Sequence, residues 1–209
     1  MPEEKDQTEQ LKKIKEEILG LTESPLYGER VKNNVFPVIG EGSHDAKIMF
    51  VGEAPGENEA RTGRPFCGAA GRILDKLLEH IGLDRKSVYV TNIVKDRPPK
   101  NRDPMPKEIE LYAPFLDRQI EIIQPEIVVT LGRFSMDYLM RRYGLESQVK
   151  GISQVHGQVF ETEMKYGRVK IVPMFHPAVA CYHGGQLGEM EADFEKLKEI
   201  IKIEDKNEK

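Results

Sequence analysis

Glu53, Phe66, Asn92 and His176 are four residues whose types and placement suit one reaction centre. A phenyl ring stacks on a flat heterocycle, a role open to Phe66. The amide of Asn92 offers one donor and one acceptor side by side, which matches the O4 and N3–H edge of uracil and mismatches cytosine. An imidazole N–H from His176 stabilises charge building on a carbonyl such as uracil O2 as a base departs. A carboxylate, Glu53, orients water and offsets the positive sugar of an oxocarbenium-like transition state. Taken singly, each has an ordinary structural use: a loop anchor, a strand-end turn residue, a histidine on a backbone carbonyl, a surface acid. Their joint occurrence at successive strand ends favours a shared site.

Two of the four lie in the stretch 47–71, KIMFVGEAPGENEARTGRPFCGAAG. Its apolar run stops at Gly52, and Pro55, Gly56, the acids Glu53, Glu57 and Glu59, then Arg61 and Arg64 follow. A buried strand opening into a polar, glycine-punctuated loop is how an open α/β sheet presents a ligand site beyond its strand ends. Glycine lets backbone approach a ligand closely, and crowded carboxylates must be solvated, paired or used. A phosphate cradle is disfavoured, because no P-loop lysine follows these glycines and the carboxylates repel phosphate.

The elements that must position these groups follow from periodicity. Residues 8–21 carry Leu11, Ile14, Ile18 and Leu21 at helical spacing, an amphipathic helix within an N-terminal segment 1–23; residues 24–45 read as loop. Strands are expected at 46–51, 87–94, 126–131, 158–163 and 168–174, the last two around a Tyr166-Gly167 turn. Helices are expected at 68–81, 107–123, 133–143 and 186–203, with a rigid loop at 96–106 and a disordered tail at 204–209. Alternation of strand and helix predicts one α/β domain over 1–209, a mostly parallel sheet sandwiched by helices. Glu53, Asn92, Gly132 and His176 then follow strand ends on one rim.

Composition narrows the partners. No apolar run approaches a membrane span, and the start MPEEKDQTEQ is too acidic and polar for a signal peptide, so a cytoplasmic protein without a membrane partner is expected. Two cysteines, Cys67 and Cys181, fit a reducing compartment. The net charge of −4 resides at the ends: segments 1–23 and 189–209 are each −3, and the body is +2. Within it, 85–102 holds six cations against Asp96 alone, enough for modest, salt-sensitive contact with a phosphate backbone.

GEAPG at 52–56, TGRPF at 62–66, TNIVK at 91–95, RPPKNR at 97–102, LG at 131–132 and FHPA at 175–178 together resemble the family 4 uracil-DNA glycosylases. The resemblance runs in order from about Pro25 into the C-terminal helix. It implies a three-layer α/β/α sandwich with a central four-stranded, mostly parallel sheet, and a repair enzyme that flips uracil out of DNA and hydrolyses its N-glycosidic bond. Carried over by motif, Glu53 and His176 are catalytic, and Gly52, Phe66, Asn92 and Glu59 bind the base, Glu59 on its C5 side. DNA contacts fall on Lys95, Arg97, Lys100, Arg102 and Arg133, with Val179 or Tyr182 as the prying wedge. His156 stands where the family has arginine, a weakened DNA contact. The resemblance implies DNA carrying uracil, single- or double-stranded, as the substrate, and the protein is expected to be a monomer.

The departures are equally informative. The resemblance implies a [4Fe–4S] cluster on four cysteines, but the matching positions hold Leu21, Ser24, Asp96 and Tyr112, none able to supply a thiolate. A member without cofactor is expected, its loops supported by Tyr112 packing and an Asp96 ion pair with a nearby arginine. No metal site is expected either, since His176, Cys181 and His183 have no fourth ligand in view. Two other functions compete: a glycosylase of altered base preference, such as hypoxanthine, and a non-catalytic DNA- or protein-binding module.

Overall fold

The computed structural model describes residues 4–182 and 186–207. Helices α1 (Glu4–Leu19) and α2 (Tyr27–Lys32) lead into strands β1 (Glu41–Gly42) and β2 (Ile48–Gly52). Helices α3 (Glu57–Thr62) and α4 (Ala69–His80) precede β3 (Tyr89–Asn92), and α5 (Pro106–Ile123) precedes β4 (Ile127–Leu131). Then come α6 (Arg133–Arg142), α7 (Ile152–Val155), β5 (Phe160–Met164), β6 (Gly167–Met174), α8 (Ala178–Tyr182) and α9 (Leu187–Asn207).

The strands form one sheet in the order β1-β3-β2-β4-β6-β5. Its inner four, β3-β2-β4-β6, are parallel throughout. The resemblance implies these four; β1 and β5 add antiparallel edges to β3 and β6, so the sheet has six strands among the described residues. Strand β5 lies close to the strand expected at 158–163, and only the two-residue β1 has no counterpart among the expected strands. The β5–β6 turn falls at Lys165–Tyr166, with Gly167 already paired to Met164. Helix α2 also breaks the expected loop at 24–45, and α9 continues to Asn207.

Alternation along β2 explains the layers. Met49 and Val51 face a core shared with α1, α5 and α6, while Ile48 and Phe50 face one shared with α4 and α9. Strands buried on both faces read as unbroken apolar runs. Each fully buried Leu, Ile, Val or Phe in these cores contributes about 1.5–3 kcal/mol. Strand β2 pairs with β3 on one side and β4 on the other, so the chain reverses its direction of travel across the sheet there. Such a switch point opens a crevice at the carboxyl ends of the strands.

Candidate active site

A cavity of about 370 Å³ occupies that crevice, lined by Glu53, Glu59, Phe66, Asn92, Arg102 and His176 among others. The rim thus brings together the four residues singled out by chemistry. A larger, open groove of about 610 Å³ between α1 and α5, lined by Asp6, Gln10, Lys13 and Arg118, holds none of them.

Asn92 ends β3 opposite Gly52 and is buried, yet its side-chain Oδ1 has no hydrogen-bond partner among the described residues. A buried acceptor left unpaired costs about 1–3 kcal/mol, so this oxygen calls for a donor, which a water or a ligand in the cavity can supply. Gly52 makes that placement possible. A Cβ there would lie 2.4 Å from Asn92 Oδ1 and 2.7 Å from the Phe66 ring, so any side chain would drive the two apart.

Phe66 is held in an uncommon backbone conformation, with φ at 48°. Non-glycine residues pay roughly 1–3 kcal/mol for such a state, which persists where the surroundings enforce it. Three contacts enforce it here. Glu59 Oε1 accepts the N–H groups of Cys67 (3.0 Å) and Gly68 (2.8 Å), just after Phe66, at the N-terminus of α4. Arg85 donates to the Pro65 carbonyl at 2.7 Å. Gly71 packs so tightly that a Cβ would sit 1.8 Å from the Phe66 carbonyl oxygen. Glu59 therefore reaches the pocket with one carboxylate oxygen already committed to backbone.

His176 follows β6, and its ring centroid lies 5.6 Å from that of Phe66. The Ala178 N–H donates to His176 Nδ1 at 3.1 Å, which leaves the ring proton on Nε2. Burial lowers its pKa to about 4, opposed by the Glu59 carboxylate, so the imidazole is neutral at physiological pH. His156, the expected weakened DNA contact, is only partly exposed and is tied inward. Its Nδ1 lies 2.6 Å from the buried Asp193, and its ring packs 4.3 Å from that of Phe175.

Glu53 is half-buried, with no side-chain hydrogen bond to the described residues. Burial pushes its carboxyl up to about 7, with the Asp103 charge adding to the rise and Arg133 opposing it. A free carboxyl poised near neutrality and a neutral imidazole with a fixed N–H donor face one cavity, an arrangement suited to bond cleavage beside a flat, polar ring.

The family model described as the uracil DNA glycosylase superfamily matches residues 39–202. The chain belongs to the uracil DNA glycosylase superfamily. It is 44% identical to the Type-4 uracil-DNA glycosylase of Sulfurisphaera tokodaii over 91% of this chain and 84% of that protein. The Type-4 uracil-DNA glycosylase of Archaeoglobus fulgidus is 42% identical, covering 92% and 94%. That of Thermotoga maritima is 39% identical over 91% and 94%.

Most cations of the rim are already committed to partners within the protein. Arg97 bonds Glu57 (3.0 Å) and Asn101 (2.7 Å), and Arg102 grips the buried Glu108 through both nitrogens. Arg133 pairs with Asp103 and lies over the Phe134 ring, while Lys100 is exposed in the turn Pro99–Asn101. Exposed pairs are worth only about 0–1 kcal/mol, so Arg97 and Arg133 can exchange a carboxylate for a phosphate cheaply. Lys95 is a correction: it is fully buried and cannot reach DNA. Val179 is partly buried in α8, and the side chain of Tyr182, like His183, lies outside the described residues.

Leu21, Ser24, Asp96 and Tyr112 do come together, but they do not fit an iron–sulfur cluster. Tyr112 donates to Asp96 at 2.6 Å and meets the Ser24 hydroxyl at 2.9 Å; Leu21 packs in the adjoining core. Arg30 places Nη1 on both Asp96 oxygens, at 2.9 and 3.2 Å, and also donates to the Ile18 and Leu19 carbonyls. The expected arginine partner of Asp96 is therefore Arg30, on α2. Where thiolates would be required there is a guanidinium and a closed set of hydrogen bonds, and no group of three or more His, Cys, Asp or Glu able to hold a metal occurs among the described residues. Both partners are buried, so Asp96→Ala leaves Arg30 uncompensated and is expected to cost about 3–5 kcal/mol in urea unfolding. Asp96→Asn, which keeps an acceptor, is expected to cost less.

Proposed function

We propose that this protein flips uracil from DNA and hydrolyses its N-glycosidic bond, leaving an abasic site, and that it does so without a bound cofactor. The observation that carries this reading is the buried, unpartnered Oδ1 of Asn92. It accepts the N3–H of uracil while Nδ2 donates to O4; cytosine offers a bare N3 and a donor at C4, and is refused. Phe66 stacks on the base, and the Gly52 backbone lets it come close.

His176 Nε2–H donates to uracil O2. As the C1′–N1 bond breaks, its electron pair moves onto the base, and this hydrogen bond strengthens with the charge. Glu53, as carboxylate, faces the sugar cation and orients the water whose oxygen bonds C1′. The water's proton passes to Glu53, and the uracil anion leaves and is protonated from solvent. Arg97, Lys100, Arg102 and Arg133 hold the flanking phosphates, and Val179 or Tyr182 fills the gap left in the stack. Unstacking costs a few kcal/mol, so single-stranded or mismatched uracil is the easier substrate.

Purified protein incubated with oligonucleotides carrying uracil, hypoxanthine or a thymine–guanine mismatch, then treated with alkali, tests the reading. Cleavage confined to uracil is expected; strands that bind yet stay intact would refute it. Iron and sulfide analysis of protein purified without oxygen tests the cofactor claim, with less than one iron per chain expected.

A further inference from the structure

Lys95 is a fully buried lysine whose partners among the described residues include no carboxylate. Its Nζ lies 2.8 Å from Thr91 Oγ1, 2.6 Å from the Asn92 carbonyl oxygen and 2.5 Å from Gln119 Oε1. The Ile39 carbonyl is farther, at 3.4 Å. The donors around it are already spent. The Thr91 hydroxyl donates to the Ile39 carbonyl at 2.7 Å, and the Gln119 amide donates to the same carbonyl and to the Tyr89 hydroxyl. Each of the three close acceptors must receive its proton from Lys95, and an ammonium has three to give. A neutral amine would turn its lone pair toward oxygen and orphan one acceptor. Burial lowers the lysine pKa well below the ordinary range, against which these three charge-assisted bonds act.

An unpaired charge in a core is costly, and such a breach of the usual rules of burial points to a use. The use lies one bond away. The peptide following Asn92 is gripped from both sides: Ile93 N–H donates to the Gly52 carbonyl at 3.1 Å, and Lys95 holds the Asn92 carbonyl. No described residue bonds Asn92 Oδ1, so its direction depends on the backbone that carries it and on the close packing of Gly52.

We propose that Lys95 is a positioning residue for base recognition, an interior ammonium that fixes Asn92 by its main-chain carbonyl and so aims Oδ1 at the base. This rests on the reading of Asn92 given above, deepens it, and replaces the surface role that a lysine in a basic run suggests.

The test is a double-mutant cycle read by single-turnover excision from a uracil oligonucleotide, enzyme in excess, followed for hours, with DNA affinity measured alongside. Lys95→Met is expected to lower the excision rate about 10²-fold, the scale of a roughly 1 Å misplacement, with DNA affinity unchanged. In the Asn92→Ala background the same substitution should have no further effect, because its route runs through Asn92. Thr91→Val, a strand-compatible change that removes one acceptor, should give a smaller loss with the same disappearance, and it serves should Lys95→Met fail to fold. Losses that multiply in the Asn92→Ala background, or a folded variant within twofold of the parent, would overturn the proposal. Absence of excision by the parent chain, or an undiminished rate in Asn92→Ala, would instead refute the reading on which it rests.

Discussion

Replacing Glu53 by glutamine is expected to lower uracil excision by about 10²–10⁴-fold while leaving DNA binding nearly intact. The amide keeps the shape and loses both the negative charge facing the sugar cation and the proton acceptor for water. The pH profile should change with it. With a carboxyl pushed up to about 7, kcat/KM for the parent rises as pH increases through that value and levels off above it. His176, at about 4, stays neutral across the window and contributes no limb there. The Glu53→Gln variant should therefore show a low, flat profile. Stability moves the other way. A carboxyl whose folded pKa lies above its unfolded value keeps its proton in the native state while the unfolded chain has lost it, so stability falls as pH rises from about 4.5 to about 7. Glu53→Gln should melt higher than the parent at pH 8, a cost of function that thermal unfolding at two pH values would expose.

His176→Ala should cost about 10²–10³-fold in excision, the range for loss of one preorganised donor to a developing anion. The Ala178 N–H on Nδ1 fixes the tautomer, so what is lost is one neutral Nε2–H donor, not a positive charge. His176→Gln places an amide N–H near the Nε2 position and should recover part of the rate. A variant at parental speed would remove His176 from the chemistry, and His176→Gln no better than His176→Ala would argue against donation as its role.

What could be read from residues alone divides along physical lines. The inner strands were legible because a strand buried on both faces leaves an unbroken apolar run, and Ile48–Gly52 and Ile127–Leu131 each show one. Asn92 and His176 were legible because chemistry-bearing residues at strand ends share a rim. The two-residue β1 and the six-residue α2 and α3 were not, since their stability comes from tertiary contacts rather than from periodicity. Lys95 was misread because a lysine within a basic stretch is ordinarily solvated, and its acceptor Gln119 comes from α5, 24 residues away. Glu59 looked like a wall of the base pocket. Its cap on the Cys67 and Gly68 amides becomes visible only when α3 is folded back on the start of α4. Leu21, Ser24, Asp96 and Tyr112 could be singled out by residue type, but Arg30, from the segment read as loop, could be named as the partner of Asp96 only from the structure.

The central claim is that the unpartnered Asn92 oxygen reads the N3–H of uracil. The most direct measurement compares single-turnover excision of uracil and of N3-methyluracil from otherwise identical single-stranded oligonucleotides. The methyl group leaves the N1–C1′ bond, O2, Glu53 and His176 as they were, removes the N3–H and sets carbon against a buried acceptor. The account predicts that N3-methyluracil is excised at least about 10²-fold more slowly, since a site built around a buried polar group strongly rejects an analogue that leaves the group unpaired. Excision of the two bases at comparable rates would contradict it.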